Sequence, residues 1–406
     1  MTESSFLIWS YSFFDDRIEM IRNFYFTKKR IIETYNIESV ILFSGLIMRI
    51  LRRTNLMIFT HGNIFILYGV PENAANELCG NYTGSGEQKT KIRLSRGDLI
   101  KTSLLKSRIK RYYALLAVMW AVVIIFGGRY LSEEQLDKIS QFAFRQVMIL
   151  GAFVMSLALP HFILWLWALT GGMLTSFIKY FNYSATRYDD VLCFEYGLIF
   201  HKKVFIPVKR ITVVEYIQSP LMQLFRAGKL KIHAVGYNAY FIYADTLLPF
   251  VTEQKKSSTI YTLLPEFEIG KELKPNNSLL YQFLSFTNFL PLIPLVISFF
   301  FGYGWTIVAL ILVLASIGEC LLMHDHNTLL HSERTAYVSY GGYYRKSSFI
   351  RNDMIESVTV IGSKHKLGKG FASFSIKVFG KKNFSIRVRS VDYEVVKSFD
   401  PPSDTV

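Results

Sequence analysis

The chain has 406 residues, and its 46 Lys and Arg residues against 31 Asp and Glu residues give a formal net charge of +15. Apolar residues make up 51% of the chain and charged residues only 19%, which excludes an intrinsically disordered protein and argues against a wholly soluble one. Three widely spaced cysteines, Cys79, Cys193 and Cys320, do not form the pattern of a disulfide scaffold. They fit a reducing compartment or a lipid bilayer.

Long stretches without charged residues indicate segments of membrane length. They are Tyr112–Gly128, Val147–Ile178 and Pro275–Gly318, and Gly302–Gly304 divides the last into two passes. Because a helix needs roughly 20 apolar residues to span about 30 Å of hydrocarbon, we predict four transmembrane helices paired as two hairpins. An excess of basic residues in the three long segments outside the hairpins places those segments and both termini in the cytoplasm.

The rest of the chain contains an internal repeat. Residues 14–62 align with residues 188–236 at an offset of 174, and residues 197–214 align with residues 341–358 at an offset of 144. The second copy consists of short segments rich in β-branched and aromatic residues, which are typical of strands. Helical patterns follow at residues 71–78 and 391–399, so each copy is predicted to be a small, curled antiparallel sheet closed by a helix.

The predicted fold is therefore an α+β membrane protein in which two transmembrane hairpins alternate with three antiparallel sheet domains. The predicted segments are a divergent first sheet domain (1–111), hairpin 1 (112–178), the second sheet domain (179–274), hairpin 2 (275–323) and the third sheet domain (324–406). In the first two sheet domains the paired aspartates, Asp15-Asp16 and Asp189-Asp190, are interpreted as turn residues that precede a strand.

The repeated pattern resembles that of the bacterial membrane-flanked PH-like domain family. It runs from a strand ending in Gly through a basic turn, a phrase such as Ile206-Pro207-Val208-Lys209-Arg210-Ile211, and Ser219-Pro220-Leu221. The resemblance is strongest over residues 180–236. It implies a bent seven-stranded sheet capped by a C-terminal helix in a bacterial plasma-membrane protein. It also implies a smaller PH-like membrane protein as a partner, and a role in envelope stress or in resistance to antimicrobial compounds.

A basic turn recurs in all three copies and is the best candidate for a site. Its residues are Lys28, Lys29, Arg30, Lys202, Lys203, Arg345 and Lys346. Each Lys or Arg near an anionic membrane surface contributes about 1 kcal/mol of attraction, so the hypothesis is that these side chains contact lipid headgroups. The alternative is that they are solvated hairpin tips whose charge discourages edge pairing.

The sequence contains no P-loop, nucleophile elbow or zinc-protease motif, and we predict neither an enzyme, a cofactor nor a metal site. The favoured function is a non-enzymatic membrane scaffold whose PH-like domains bind partner proteins, anionic headgroups or both, with a homo-oligomer left open. Because the charge is spread over three copies, nucleic acid is not expected as a partner. The alternative is a transporter or export component that uses the four helices as a pathway, with His161 and Glu319 as its intramembrane polar groups.

Overall fold

A computed structural model describes most of the chain outside its centre. The described residues are 2–6, 9–14, 16–23, 27–60, 63–83, 90–105, 170–234, 246–267, 292–298, 303–332, 334–362, 367–379 and 385–393. They divide into two compact units, one formed by residues 1–94 and 182–406 and the other by residues 95–181.

The first unit is built from twenty β-strands. They are β1 Thr2–Phe6, β2 Trp9–Phe13, β3 Arg17–Asn23, β4 Thr27–Glu33, β5 Ile37–Ser44, β6 Arg53–Thr60, β7 Asn63–Pro71, β8 Thr90–Arg93, β9 Ser184–Arg187, β10 Val191–Tyr196, β11 His201–Pro207, β12 Ile211–Gln218, β13 Ala227–Ala234, β14 Thr246–Thr252, β15 Thr328–His331, β16 Thr335–Tyr340, β17 Arg345–Arg351, β18 Ile355–Ile361, β19 Phe371–Val378 and β20 Ser385–Asp392. The strands predicted in the second copy are confirmed as β10 to β13.

These strands form four antiparallel sheets. In spatial order the sheets are β1-β2-β3-β4, β7-β6-β5-β11-β10-β9-β8, β14-β13-β12-β17-β16-β15 and β18-β19-β20. The two large sheets each combine strands from consecutive sequence copies, because β5 pairs with β11 and β12 pairs with β17. The sheets are therefore not confined to single copies.

The helices are mostly short. They are α1 Leu46–Ile50, α2 Glu72–Thr83, α3 Arg96–Leu105, α4 Pro220–Leu224, α5 Glu253–Leu263, α6 Leu292–Ser298 and α7 Tyr303–His326. The helix predicted from residue 71 is confirmed as α2, although Pro71 itself ends β7. Ser219 caps α4 by accepting a hydrogen bond from the Met222 amide at 3.4 Å, with Pro220 in the first turn. Residues 394–399 of the predicted closing helix lie outside the described residues.

The same turn joins successive strands in all three copies. A one-turn 3-10 helix follows β4, β11 and β17, at Thr34–Asn36, Val208–Arg210 and Asn352–Met354. The amides of Thr34, Val208 and Asn352 donate to the carbonyls of Asp16, Asp190 and Arg334 at 2.8–3.0 Å. The sequence offsets of 174 and 144 relate all three pairs.

Two hydrophobic clusters lie between the sheets of the first unit. The first includes Tyr11, Val40, Leu56 and Val70, together with Cys193 and Phe205 from the second copy. The second joins Val213 of the second copy to residues of β15–β20. In β19, Phe374, Ile376 and Val378 are buried while the alternating residues are more exposed, as the sequence predicted.

In the second unit, the described residues are helical at α3 and over residues 170–180. Ser95 precedes α3 and caps it, because its hydroxyl accepts a hydrogen bond from the Asp98 amide at 3.1 Å. Ile100, Thr170, Leu174 and Phe177 line an open apolar pocket of about 580 Å³ within this unit.

The prediction of four transmembrane helices in two hairpins is wrong. No helix among the described residues is both long enough and apolar enough to cross a membrane, and the observed architecture consists mainly of antiparallel sheets. The uncharged run Pro275–Gly318 does not coincide with one helix, because α6 has seven residues and α7 runs on into Glu319 and Asp325. Only residues 303–318 of that run lie in α7, a length of about 24 Å. Hairpin 1 lies outside the described residues up to residue 169.

Candidate interaction surface

Two edge-to-edge strand pairings join the three copies, and we call them joint 1 (β5 with β11) and joint 2 (β12 with β17). In joint 1, Val40 lies opposite Phe205, and in joint 2, Val214 lies opposite Phe349. Adding 174 to Val40 gives Val214, and adding 144 to Phe205 gives Phe349. The two joints therefore have the same register, and all four side chains are at most 2% exposed.

A side chain from the short helix after the first strand of each joint strengthens the same connection. In joint 1, Arg49 Nη1 of α1 donates to the Leu198 carbonyl at 3.1 Å. In joint 2, Gln223 Nε2 of α4 donates to the carbonyls of Gly342 at 3.3 Å and Tyr343 at 2.8 Å. Arg49 corresponds to Gln223, and Leu198 corresponds to Gly342. Two different side chains thus perform one task at equivalent positions.

A glycine turn positions the second strand of each joint. Gly197 has a φ of +111° and Gly341 has a φ of +98°, which only glycine adopts readily. A Cβ atom at either position would lie about 2 Å from the carbonyl oxygen of the residue three positions later, Phe200 or Tyr344. After this turn, β11 begins at His201 and β17 begins at Arg345. The basic residues of the predicted site therefore lie at the start of these two strands.

The structure places the predicted headgroup residues on three strands of three different sheets. Lys202 and Lys203 lie in β11, opposite Phe43 and Leu42 in joint 1. Burial lowers the pKa of Lys202, so its charge is partly desolvated. Lys203 Nζ lies 5.3 Å from the ring centroid of Phe205. These lysines are strand residues of a joint rather than solvated hairpin tips.

The basic residues of the third copy have a similar environment. Arg345 and Lys346 lie in β17, opposite Gln218 and Ile217 in joint 2. Arg345 Nη1 contacts Glu253 Oε1 of α5 at 3.2 Å, which is an ion pair between the second and third copies. Lys346 Nζ lies 5.9 Å from the ring centroid of Tyr340.

In the first copy the basic residues lie on a sheet edge. Lys28, Lys29 and Arg30 belong to β4, the last strand of the four-stranded sheet. Lys29 Nζ lies 2.7 Å from Glu19 Oε2, and the hydrogen bond from Lys29 lowers the pKa of that carboxyl. Lys29 and Arg30 are exposed. The three basic segments therefore do not converge on one site, and only the β4 segment lies at an edge.

Joint 2 contains buried charges that sequence reasoning missed. Glu215 Oε2 lies 2.8 Å from His233 Nε2, and both side chains are less than a tenth exposed. Burial raises the pKa of the Glu215 carboxyl, but the hydrogen bond from His233 and the charges of His233, Lys346 and Lys231 outweigh burial and leave that pKa below its usual value. Glu215 stands inside the otherwise apolar segment Val213–Ile217. This pattern could have indicated a buried carboxylate with a partner.

Lys256 of α5 is a second buried charge at joint 2. It is 6% exposed, and its Nζ lies 5.4–5.7 Å from the ring centroids of Tyr216, Tyr337 and Phe349. Since Tyr337 and Phe349 belong to the third copy, this cation–π cluster connects the closing helix of the second copy to its neighbour.

A polar cleft of about 450 Å³ also lies between the second and third copies. Its lining residues are Asp190, Val208, Lys209, Glu266, Arg334, Arg351, Asn352 and Asp353. Arg187 holds Glu266 with two hydrogen bonds of 2.7 and 3.1 Å, and Arg351 Nη1 donates to the Lys209 carbonyl at 3.0 Å. The hydrogen bond from Arg351 to the Lys209 carbonyl joins the third copy to the second at this cleft.

Cys79 and Cys193 are buried thiols. Burial raises the pKa of Cys79 to about 12 and that of Cys193 to about 12, so neither forms a thiolate at neutral pH. In the part of the chain that the structure describes, no three His, Cys, Asp or Glu side chains come together as metal ligands. His324 and His326 lie in the last turn of α7.

Residues 143–264 match the family described as Bacterial PH domain. The described part of this match contains β9 to β14 and α5. It therefore includes one strand of each joint, β11 of joint 1 and β12 of joint 2. This match and the relative described next support a relationship to the bacterial PH domain family. The relative is the transmembrane protein YdbT of Bacillus subtilis strain 168, to which the chain is 22% identical over 347 residues. The alignment covers 77% of this chain and 68% of that protein. No solved structure gives a significant match.

Proposed function

We propose that the chain is a non-enzymatic scaffold of the bacterial cell membrane, made of three PH-like units that bind partner proteins through sheet edges and anionic headgroups through basic side chains. The observation that carries this proposal is the recurrence of one strand joint at two places in the chain. The same edge-to-edge surface is used twice with different side chains, which is the property of a protein-binding module.

The strand inventory supports the three PH-like units. β1–β7 are followed by α2, and β8–β14 are followed by α5, which is twice the seven-strand and helix composition that the family resemblance implies. β15–β20 supply six strands of the third unit. The match of residues 143–264 falls on the second unit, where the sequence resemblance is also strongest.

Membrane association is supported by the Bacillus subtilis relative YdbT, which is named as a transmembrane protein. We place the three units at the cytoplasmic surface, where anionic lipids attract basic segments. The transporter alternative depended on four membrane helices and is abandoned with them. A smaller PH-like membrane protein is proposed as a partner, because such a domain would offer the same type of edge strand.

The lipid contact is assigned chiefly to β4. Arg30 is exposed on this edge strand, whereas Lys202 and Arg345 are half-buried within the joints. Strand pairing uses backbone groups, so the β4 side chains remain able to face a membrane when the edge is occupied.

The test uses purified full-length chain and nanodiscs of phosphatidylcholine, either alone or mixed with phosphatidylglycerol. We expect tighter binding to the anionic nanodiscs, and Arg30→Glu should weaken that binding by about fivefold or more. Lys255→Glu makes the same charge change on the exposed face of α5 and serves as the matched control. Equal binding to both nanodiscs, or equal losses in both variants, would remove headgroup contact through β4 from the proposal.

A further inference from the structure

The strand β18 is a sheet edge in the third copy, although its counterparts in the other copies lie in the middle of a sheet. Among the described strands it pairs with β19, at the end of the three-stranded sheet. Val360 is 39% exposed and Ile361 is 44% exposed. Leu42 and Tyr216 occupy the position of Val360 in the other two copies. They are 6% and 1% exposed. The third copy therefore exposes a strand position that both other copies bury.

The strand β4 is the complementary edge at the other end of the series. It corresponds to β11 and β17, each of which forms the second strand of a joint. Ile31 of β4 is 52% exposed, whereas the matching Phe205 and Phe349 are 2% and 0% exposed. One chain thus presents one exposed example of each half of the joint.

We propose that β18 of one chain pairs antiparallel with β4 of a second copy of this chain, forming an intermolecular joint in the register of joints 1 and 2. This inference rests on the proposal that sheet edges bind protein, and it names the occupant of the free edge. The geometry is head-to-tail, because two different surfaces meet.

The register of the internal joints fixes which residues would meet. In joint 2, Val214 lies opposite Phe349. The equivalent residues of β18 and β4 are Val358 and Ile31, so an apolar pair is expected at the same place in the intermolecular joint. The pairing of Ile217 with Lys346 becomes Ile361 with Lys28. Joint 1 has the same combinations, with Val40 opposite Phe205 and Phe43 opposite Lys202. At these two positions, residues of the same character lie opposite each other in all three registers.

The basic character of β4 does not oppose this pairing. Lysines at a sheet edge commonly discourage association, but β11 begins with His201, Lys202 and Lys203, and these three residues are paired with β5 in joint 1. β17 begins with Arg345 and Lys346 and is paired in joint 2. Cations at the start of this strand are thus a feature of both joints that the structure shows.

The intermolecular joint should be weaker than the internal ones. Leu367 stands at the position of Gln223 and Arg49, so it has no donor for the carbonyls of the opposite turn. The two strands also belong to separate molecules, so their association costs translational and rotational entropy that the internal joints do not lose. We therefore expect assembly that depends on protein concentration.

The first test is site-directed disulfide formation between two differently tagged preparations of the full-length chain. One carries Val360→Cys and the other Lys29→Cys, which lie opposite each other in the proposed register. We expect the mixed dimer on mild oxidation. Ile361→Cys mixed with Lys29→Cys is the matched control, because a slip of one residue turns the side chain to the other face. The native cysteines in the described structure are buried, and the unsubstituted chain controls for them.

Absence of the mixed dimer, or equal yields from the matched and slipped pairs, would overturn the proposal. Neither result would affect the nanodisc measurement, so failure of this inference and failure of headgroup binding are distinguishable.

The second test measures the dissociation constant of one β18–β4 contact in the full-length chain by sedimentation equilibrium, fitted as stepwise head-to-tail association because every dimer still carries a free β18 and a free β4. Val360→Glu places a carboxylate opposite Lys29 and should tighten association, whereas Val360→Lys places like charges together and should weaken it, each by roughly fivefold. A general weakening of β18 would change both variants in the same direction. Changes of the same sign, or no change in either, would contradict pairing in this register.

Discussion

The buried contact between Glu215 and His233 lies within the second copy and involves β12, the strand that also forms joint 2. Its two side chains lie in β12 and β13, at the centre of a six-stranded sheet, and are nearly inaccessible to water. Removing one partner of such a pair leaves a buried polar group uncompensated, which typically costs 3–5 kcal/mol. A substitution at either position is therefore expected to destabilise this sheet.

At this scale we predict that Glu215→Gln lowers the free energy of unfolding at pH 7 by about 3 kcal/mol. The folded-state pKa of Glu215 is lower than its unfolded value of about 4.3. The stabilisation from its charge is therefore fully present above that pH and is lost as the pH falls through the folded pKa. Denaturant unfolding at a series of pH values should show the difference between the two proteins narrowing below about pH 4.3.

The matched control is Glu356→Gln, which removes an exposed partner of Lys377 at 2.6 Å. An exposed ion pair contributes about 0–1 kcal/mol. Two results would contradict this prediction. One is a loss of unfolding free energy in Glu356→Gln as large as that in Glu215→Gln, and the other is a loss in Glu215→Gln that does not change with pH.

At the scale of elements, equivalent strands differ in stability according to whether they are covered. β5, β12 and β18 occupy the same position in the three copies, yet only β5 and β12 have a strand on both sides. The energy of an apolar side chain in this position is set by its neighbour strand, because burial depends on that neighbour.

We predict that Leu42→Ala in β5 lowers the free energy of unfolding by about 2–3 kcal/mol, since it removes buried methyl groups from joint 1. Val360→Ala at the equivalent position of β18 should change it by less than about 0.5 kcal/mol. Both are measured by denaturant unfolding of the full-length chain at a concentration where it is monomeric. Similar losses would mean that β18 is already covered.

Local patterns in the sequence were sufficient for individual elements. The strands β10 to β13 and the start of α2 near Pro71 depend on residues close in sequence, and the structure contains them. The hairpins were inferred only from uncharged runs, and in the described part of the run Pro275–Gly318 the end of α7 does not follow the run. The joints depend on a register between residues about 130–165 positions apart, for example Val214 and Phe349, which no local periodicity encodes.

For the same reason, the candidate site was predicted only in part. Lys202 and Arg345 were recognised as members of one repeated pattern, but their positions inside sheets follow from the pairing of whole copies. The polar residues Gln223, His233 and Lys256 gave no distinctive signal, because each is isolated in sequence and meets its partners only in the fold.

For the whole molecule, the joints predict a gradient of protection along the series of copies. We expect amide hydrogen exchange of the full-length chain to be slow in β5, β11, β12 and β17, whose backbone groups face a strand on each side. It should be faster in β4 and β18, which are edges. Mass spectrometry of peptides from dilute protein measures this directly.

The same exchange measurement at high protein concentration provides a comparison within one sample. Slower exchange confined to β4 and β18 is the expected result, because association would cover these two edges. Uniform exchange in β5, β12 and β18 at low concentration would contradict the observed sheet order.

The pairing of β5 with β11 also has a consequence during synthesis. Ser44 ends β5, and its partner His201 is added 157 residues later. At a translation rate of about 5–20 residues per second, β5 waits roughly 8–30 s for the strand that covers it. Throughout that interval a nascent chain on a polysome carries an uncovered apolar strand beside others of its kind. Chaperone contact at the ribosome is therefore most valuable to this protein before its second half has emerged.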